Sequence, residues 1–430
     1  MKRALLALVA MSLALPAAAQ NADLGLKLGE KSRLHLGADL GTGFDTNPNY
    51  RPFAQPFVGD LTLAFRPQLK LSIPSDMLSV EAGVRANYQQ YFGLMDARTG
   101  KVNQLDGDAN LELEVNRKGF FGVALRDMLT RAVDPGYAAL GSQLARTRND
   151  LSLGAELRPG GGLLTFALIY GFGIEIYDPA RTNNFLDFIG ISPEVSQIAN
   201  PDDFNNMEHK LKLRTEWRFL PKTGFFLDIY GGSFTYLSAN SPNVANFPVG
   251  IEIGAMGQLT GKISGVAKLG YTNPLIFSSS GQLTTATFIG AIGQLEARYA
   301  LTEMNTFTLG IRREMRPVYM YQFFTDNRVY FETSHQLFQR LQLKANAAYA
   351  LLAFDQAVSA TGQANIQGGG NRMDHLIEGN LSARFFILDW FSIGASDMLQ
   401  LRFTNASGSD NNSNFSYWKN LTMLTLTAYY

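Results

Sequence analysis

The sequence predicts an all-β chain closed into a transmembrane antiparallel β-barrel of the outer-membrane type, with about 18 strands and 16 as the alternative count. Three observations carry the prediction. Charged and apolar residues alternate with period two along most of the chain; short turn signals alternate with longer polar connections; and the chain opens on an export leader and stops on an aromatic residue.

Residues 1–20 read MKRALLALVAMSLALPAAAQ. Lys2 and Arg3 supply a positive start, Leu5 to Leu15 an apolar run, and Ala17, Ala18 and Ala19 a small-residue site, so cleavage is expected before Gln20. This divides the chain into a signal peptide, 1–19, and a single barrel domain, 20–430. A retained helical anchor is the alternative, but the run is short for a span of about 20 apolar residues. No later run is long enough for a transmembrane helix.

The 430 residues include 37 basic and 37 acidic side chains and no cysteine. Charge neutrality argues against a nucleic-acid partner, whose affinity rests on many basic contacts to phosphate. The charged fraction is 17%, low against roughly 25% for a soluble domain. An exported chain without cysteine has no disulfides to stabilise it.

Taken in order, LTLAFRPQLKLSI at 61–73 sets Leu61, Leu63, Phe65, Leu69, Leu71 and Ile73 against Thr62, Arg66, Gln68, Lys70 and Ser72. LDGDANLELEV at 105–115 puts Leu105, Leu111, Leu113 and Val115 on one face and Asp106, Asp108, Asn110, Glu112 and Glu114 on the other. RNDLSLGAELR at 148–158 repeats the division. KLKLRTEWRFL at 210–220 gives it most strictly, with Lys210, Lys212, Arg214, Glu216 and Arg218 between Leu211, Leu213, Thr215, Trp217 and Phe219. LQLKANAAYALL and HLIEGNLSARF continue it. Successive strand side chains point to opposite faces, so each segment is a strand with an apolar wall and a polar wall.

Tight turns are expected at Pro74-Ser75-Asp76, Asn116 to Gly119, Pro159-Gly160-Gly161, Pro221-Lys222, Gly261-Lys262, Leu301-Thr302-Glu303, Gln339-Arg340 and Leu388-Asp389. Between them run longer connections such as DTNPNYRPFAQP, DPGYAALGSQLA, SANSPNVANFP and ASGSDNNSN, the longest from Asp178 to about Asn206. Short periplasmic turns alternating with long extracellular loops are the outer-membrane pattern. A propeller would need four strands in each interval of about 40 residues, whereas each holds two long strands. In NLTMLTLTAYY, Leu424, Leu426, Ala428 and Tyr430 share one face, similar to the C-terminal signal of outer-membrane barrels.

With the apolar wall toward lipid, Tyr88, Tyr91, Phe120, Phe121, Tyr170, Trp217, Phe219, Phe385, Trp390 and Phe391 are expected in interfacial girdles. The polar wall lines a lumen. Its candidates are Arg66, Lys70, Asp106, Asp108, Glu112, Glu114, Arg146, Arg148, Arg158, Lys210, Lys212, Arg214, Glu216 and Arg218. An acidic stripe at 105–115 facing basic stripes at 145–158 and 208–219 would set a transverse field across the pore; salt bridges that stiffen the wall are the alternative, and the two are compatible. His35, His209, His335 and His375 lie on separate strands without metal-ligand spacing. The glycine-rich patches lack any phosphate-binding pattern. No catalytic residue, metal or cofactor is expected.

RLHLGADLGTGFDTNPNY at 33–50, with Asp45 and Asn47, resembles the first strand of the β-barrel porins of exopolysaccharide loci. Residues 146–178 and 325–351 are similar to two further hairpins of that family. The resemblance implies a pore for surface polysaccharide in a Wzx/Wzy-type pathway, working with a periplasmic polysaccharide export (OPX-type) protein. Asp45 and Asn47 are read as loop caps only. Architecture alone leaves a general or small-solute porin open, with the 178–206 loop folding inward as a constriction, and a barrel enzyme or adhesin as a third class.

Overall fold

The period-two pattern becomes eighteen long antiparallel strands in the computed structural model. It describes residues 24–48, 50–53, 58–94, 104–132, 145–177, 201–241, 244–277, 283–284, 290–318, 321–354, 372–405 and 416–430. The leader and most of the 178–206 connection, with its expected constriction, lie outside the described residues.

The strands are β1 (Arg33–Asp45), β2 (Asp60–Ile73), β3 (Leu78–Tyr91), β4 (Gln104–Val115), β5 (Phe121–Ala132) and β6 (Arg146–Leu157). There follow β7 (Leu164–Tyr177), β8 (Asn206–Leu220), β9 (Thr223–Tyr236), β10 (Val249–Gln258), β11 (Ile263–Asn273) and β12 (Ala291–Thr302). The last are β13 (Asn305–Val318), β14 (Tyr321–Leu337), β15 (Leu341–Phe354), β16 (Met373–Leu388), β17 (Phe391–Thr404) and β18 (Tyr417–Tyr429). Each pairs with the next, and β1 pairs with β18, so the sheet closes as an outer-membrane β-barrel. Closure leaves no sheet edge, which hydrocarbon would not tolerate. At strand spacings near 4.8 Å and tilts near 40°, eighteen strands give a backbone diameter of roughly 35 Å.

The alternation sorts the two walls. Leu40, Phe65, Leu213, Ile253, Leu269 and Leu424 are exposed on the outer surface, an apolar area that a water-soluble protein would cover. Most inward positions between them are polar or small, with buried Tyr91, Phe226, Tyr330, Leu352 and Met423 among the exceptions.

All eight tight turns fall at one end, with both termini of the barrel. Two are displaced: the turn residues are Glu303-Met304 and Asp389-Trp390, because the preceding residues still pair in the ladder. Gly160, Gly161 and Gly162 take φ of 64°, 68° and 91°, a run that only glycine adopts without strain. Between the β2–β3 and β4–β5 turns Lys118 Nζ stands 2.8 Å from Asp76 Oδ1; the hydrogen bond from Lys118, then its charge, holds the Asp76 carboxyl below its usual range. One connection departs from the short-long alternation: only two residues separate β13 from β14 at the loop end.

The closing seam runs from Gly37 opposite Tyr429 to Asp45 opposite Leu421. Tyr430 and Leu36 exchange two backbone hydrogen bonds of 2.7 and 2.8 Å, extending the ladder to the last residue. A Cβ at Gly43 would meet the Thr422 carbonyl at 2.2 Å, so no side chain fits at this point of the seam.

Candidate functional site

The interior wall is built from the inward residues of consecutive strands, and most of its charges pair either two residues along the same strand or across the ladder. On β2 and β3, Arg66 Nε donates to Asn87 Oδ1 at 2.9 Å, and Arg85 donates to Asp108 of β4 at 2.6 and 2.9 Å. Asp106 accepts from Asn87 Nδ2 at 3.3 Å, and Lys70 stands opposite His35 in the β1–β2 register. Arg66, Arg85, Asn87, Asp106 and Asp108 line a cavity of about 400 Å³ together with Asp39, Gln68 and Tyr429.

Further round, Arg126 of β5 donates to Glu112 at 2.9 and 3.0 Å and lies 3.8 Å from Glu114. Arg146 reaches Glu175 at 3.2 Å; Arg148 reaches Asp150 at 2.6 Å and Glu208 at 3.3 Å. Arg158 pairs with Glu156 and donates to the Gly119 carbonyl at 3.1 Å. Arg214 grips Asp228 of β9 through two bonds of 2.5 and 2.6 Å, both side chains buried. Arg218 donates to Glu216 at 2.8 Å. Lys210 lies 4.5 Å from the Tyr230 ring centre, and Lys212 sits in register between Ile169 and Tyr230.

Of the two compatible readings of these stripes, a transverse field and wall salt bridges, the pairing seen here is the second. Asp108 and Glu112 face Arg85 and Arg126, while Arg148 and Arg214 face Glu208 and Asp228. The partners come partly from the same strand, as in Arg148–Asp150 and Arg218–Glu216, and partly from neighbouring strands, whose register a single strand does not reveal. Part-exposed pairs of this kind each contribute about 0 to 1 kcal/mol. The buried, bidentate Arg214–Asp228 pair is different, since removing one partner strands a charge.

At the loop end the interior carries a second set that strand-by-strand reading missed. Asp374 of β16 receives Arg372 at 2.7 Å and Arg402 of β17 at 2.9 Å, and Arg372, only 1% exposed, stacks 4.1 Å over Phe354. Asp326 of β14 lies 3.3 Å from Arg328 and 3.6 Å from Arg312. Asp45, fully buried, binds Lys419 of β18 at 2.8 Å and the Tyr91 hydroxyl at 2.8 Å, while accepting from the Asn47 amide at 2.9 Å. Asn47 bridges the carbonyls of Arg51 and Trp418. Asp45 is thus more than a loop cap, since it ties the first strand to the last. The signal was its inward parity on β1, two residues beyond Gly43.

Tyr91 is a correction as well. It is 1% exposed and points inward, because it lies an odd number of residues from outward Tyr88 on the same strand. Phe120, Phe121, Trp217, Phe219, Phe385 and Trp390 are exposed at the turn end, with Phe391 on the same wall; Tyr88 is exposed toward the loop end, whereas Tyr170 is exposed near the middle of β7 and outside either girdle. The histidines separate. His35 stacks on Tyr429 inside, whereas His209, His335 and His375 bond Tyr170, Thr333 and Tyr349 on the outer wall. Among the described residues no three His, Asp or Glu side chains form a metal-binding group.

Such a wall offers dense donors and acceptors to a hydrated solute and little net charge. No family profile and no curated protein matches the chain. Among solved structures, the outer-membrane protein OpdK of Pseudomonas aeruginosa with vanillate is 10% identical, with a TM-score of 0.47 over 92% of this chain and 99% of that one. The siderophore receptor PirA of Pseudomonas aeruginosa is 10% identical, TM-score 0.43, over 93% and 80% of the two chains. The FrpB iron transporter of Neisseria meningitidis is 8% identical, TM-score 0.43, over 92% and 81%. The likeness is one of general barrel outline and carries no functional assignment.

Proposed function

We propose that this chain is an outer-membrane pore that passes a surface polysaccharide, taken from a periplasmic export protein. The observation that supports this most directly is the interior: eighteen strands enclose a wall of paired charges and amides, which can replace the hydration of sugar hydroxyls without trapping an ion of either sign. The polymer and its periplasmic partner rest on the resemblance of residues 33–50, 146–178 and 325–351 to the exopolysaccharide-locus porins. Deleting the gene in its host, with complementation and an envelope-integrity control, tests the proposal. Loss of one surface polymer with the envelope intact supports it, and normal polymer sinks it.

A small-solute porin is the second reading. It is favoured by the interior cavities of about 250 to 450 Å³, each the size of a small solute. Steady ion conductance of the purified protein in planar bilayers, together with slowed nutrient uptake in the deletion strain, would select it.

A further inference from the structure

The outer wall carries two carboxylates that lipid does not explain, Asp127 of β5 and Asp397 of β17, and the second has a counterpart elsewhere on the wall. On β17, between outward Ile393 and Phe403, Asp397 also points outward, in the middle of the apolar belt. On β18 beside it, Thr422 Oγ1 donates to Asp397 at 2.6 Å and Asn420 Nδ2 donates to both carboxylate oxygens at 3.1 Å. These donors are neutral, and among the described residues no cation lies within ion-pair distance of Asp397. A carboxylate at hydrocarbon depth destabilises the inserted barrel unless a polar group covers it.

Four strands back along the same wall, Arg313 of β13 points outward beyond Ile311. It donates to Asn327 Oδ1 at 2.5 Å and to the Ala291 carbonyl at 2.9 Å. A guanidinium has five N–H donors in a planar fork, so it can hold its strand neighbours and a carboxylate across an interface together. Asp397 stands six residues above the turn-side start of β17 and Arg313 eight above that of β13. At about 2.6 Å of height per tilted residue this is a difference of about 5 Å, within reach of an arginine side chain.

The geometry points to a second copy of this chain as the cover: the β13–β14 face of one copy, bearing Arg313, seats on the β17–β18 face of the next, bearing Asp397. Two different faces in head-to-tail contact repeat until a ring closes. The faces lie four strands of eighteen apart, a little under a quarter of the circumference. The two contact directions of each copy diverge by about 60° in a ring of three and about 90° in a ring of four, so the assembly is a small ring of pores. This inference is independent of what the pore carries.

The chain has no cysteine, so introduced pairs report contacts without background. In isolated outer membranes, Thr422→Cys combined with Asn327→Cys is expected to give a disulfide-linked ladder on oxidation, while either variant alone does not. In detergent, Asp397→Arg and Arg313→Asp are each expected to weaken assembly about tenfold or more, read by native mass spectrometry. The double exchange restores it. Asp127→Asn serves as the control: this other outward carboxylate, on β5, is bonded to Asn149 at 2.8 Å and lies far from both faces. Heat-modifiable mobility on gels shows which variants still form barrels. A ladder from Thr422→Cys alone would mean a face-to-face dimer and overturn the ring. Wild-type protein that is monomeric by mass, together with no disulfide from the Thr422→Cys/Asn327→Cys variant in the membrane, would overturn the proposal too.

Discussion

Asp45 concentrates three bonds at one carboxylate: Lys419, Tyr91 and the Asn47 amide all converge on it inside the barrel. Removing one side of such a pair leaves a buried charge without its partner. Asp45→Asn or Lys419→Met is therefore expected to destabilise the barrel by about 3 to 5 kcal/mol, measured by urea unfolding in detergent. Asp45→Asn with Lys419→Gln should recover much of the loss, because no charge is then stranded. The exposed Asp76–Lys118 pair is the counterpart. Lys118→Ala should leave the same unfolding curve unchanged, since solvent screens an ion pair so open to water. Position parity made Asp45 legible as an inward residue, but its partner lay at the far end of the chain, and no local pattern pairs residue 45 with residue 419. Tyr91 shows the opposite failure. Its aromatic character suggested the girdle, and parity, which was readable, sends it inside.

A strand has two walls with different solvents, so neighbouring residues respond oppositely to the same substitution. Leu269, 74% exposed on the outer wall of β11, faces the belt; Leu269→Arg should cost about 2 to 4 kcal/mol at that depth. Lys268, one residue away, is inward and bonds Glu252 at 2.9 Å, so Lys268→Arg should be tolerated. Folding titrations of the two variants in lipid vesicles make the comparison. At this scale the sequence was most informative: alternation and turn chemistry gave the strand count and marked the tight turns, with errors of a residue or two at Thr302 and Leu388. The two-residue link between β13 and β14 escaped because β14 is the longest strand, at 17 residues, and extends the ladder where a loop was expected. Asp127 and Asp397 were missed for a related reason, as lone charges inside an otherwise apolar period.

For the whole molecule, pairing of interior charges predicts a pore with little preference between cations and anions. Arg85→Gln would leave Asp108 without its guanidinium and should shift the reversal potential of a salt gradient toward cation selectivity, read in planar bilayers. If the wild-type pore is already strongly selective, the pairing described here does not govern transport. Closure, polarity and strand number were legible from the chain, whereas the charge balance was not, because it depends on register between strands. The seam has a consequence for assembly. The Asn420 amide donates to Thr46 across 374 residues of sequence, and the first and last strands meet only when the C-terminal strand has arrived. The most distant partners in the chain are thus obligatory ones. Loop-closure entropy must be overcome before the last ladder rewards it, which makes folding slow and leaves long unpaired strands exposed meanwhile. Until Tyr430 is in place, the nascent chain is an open sheet with two sticky edges, and its survival between synthesis and insertion depends on being held apart from other chains.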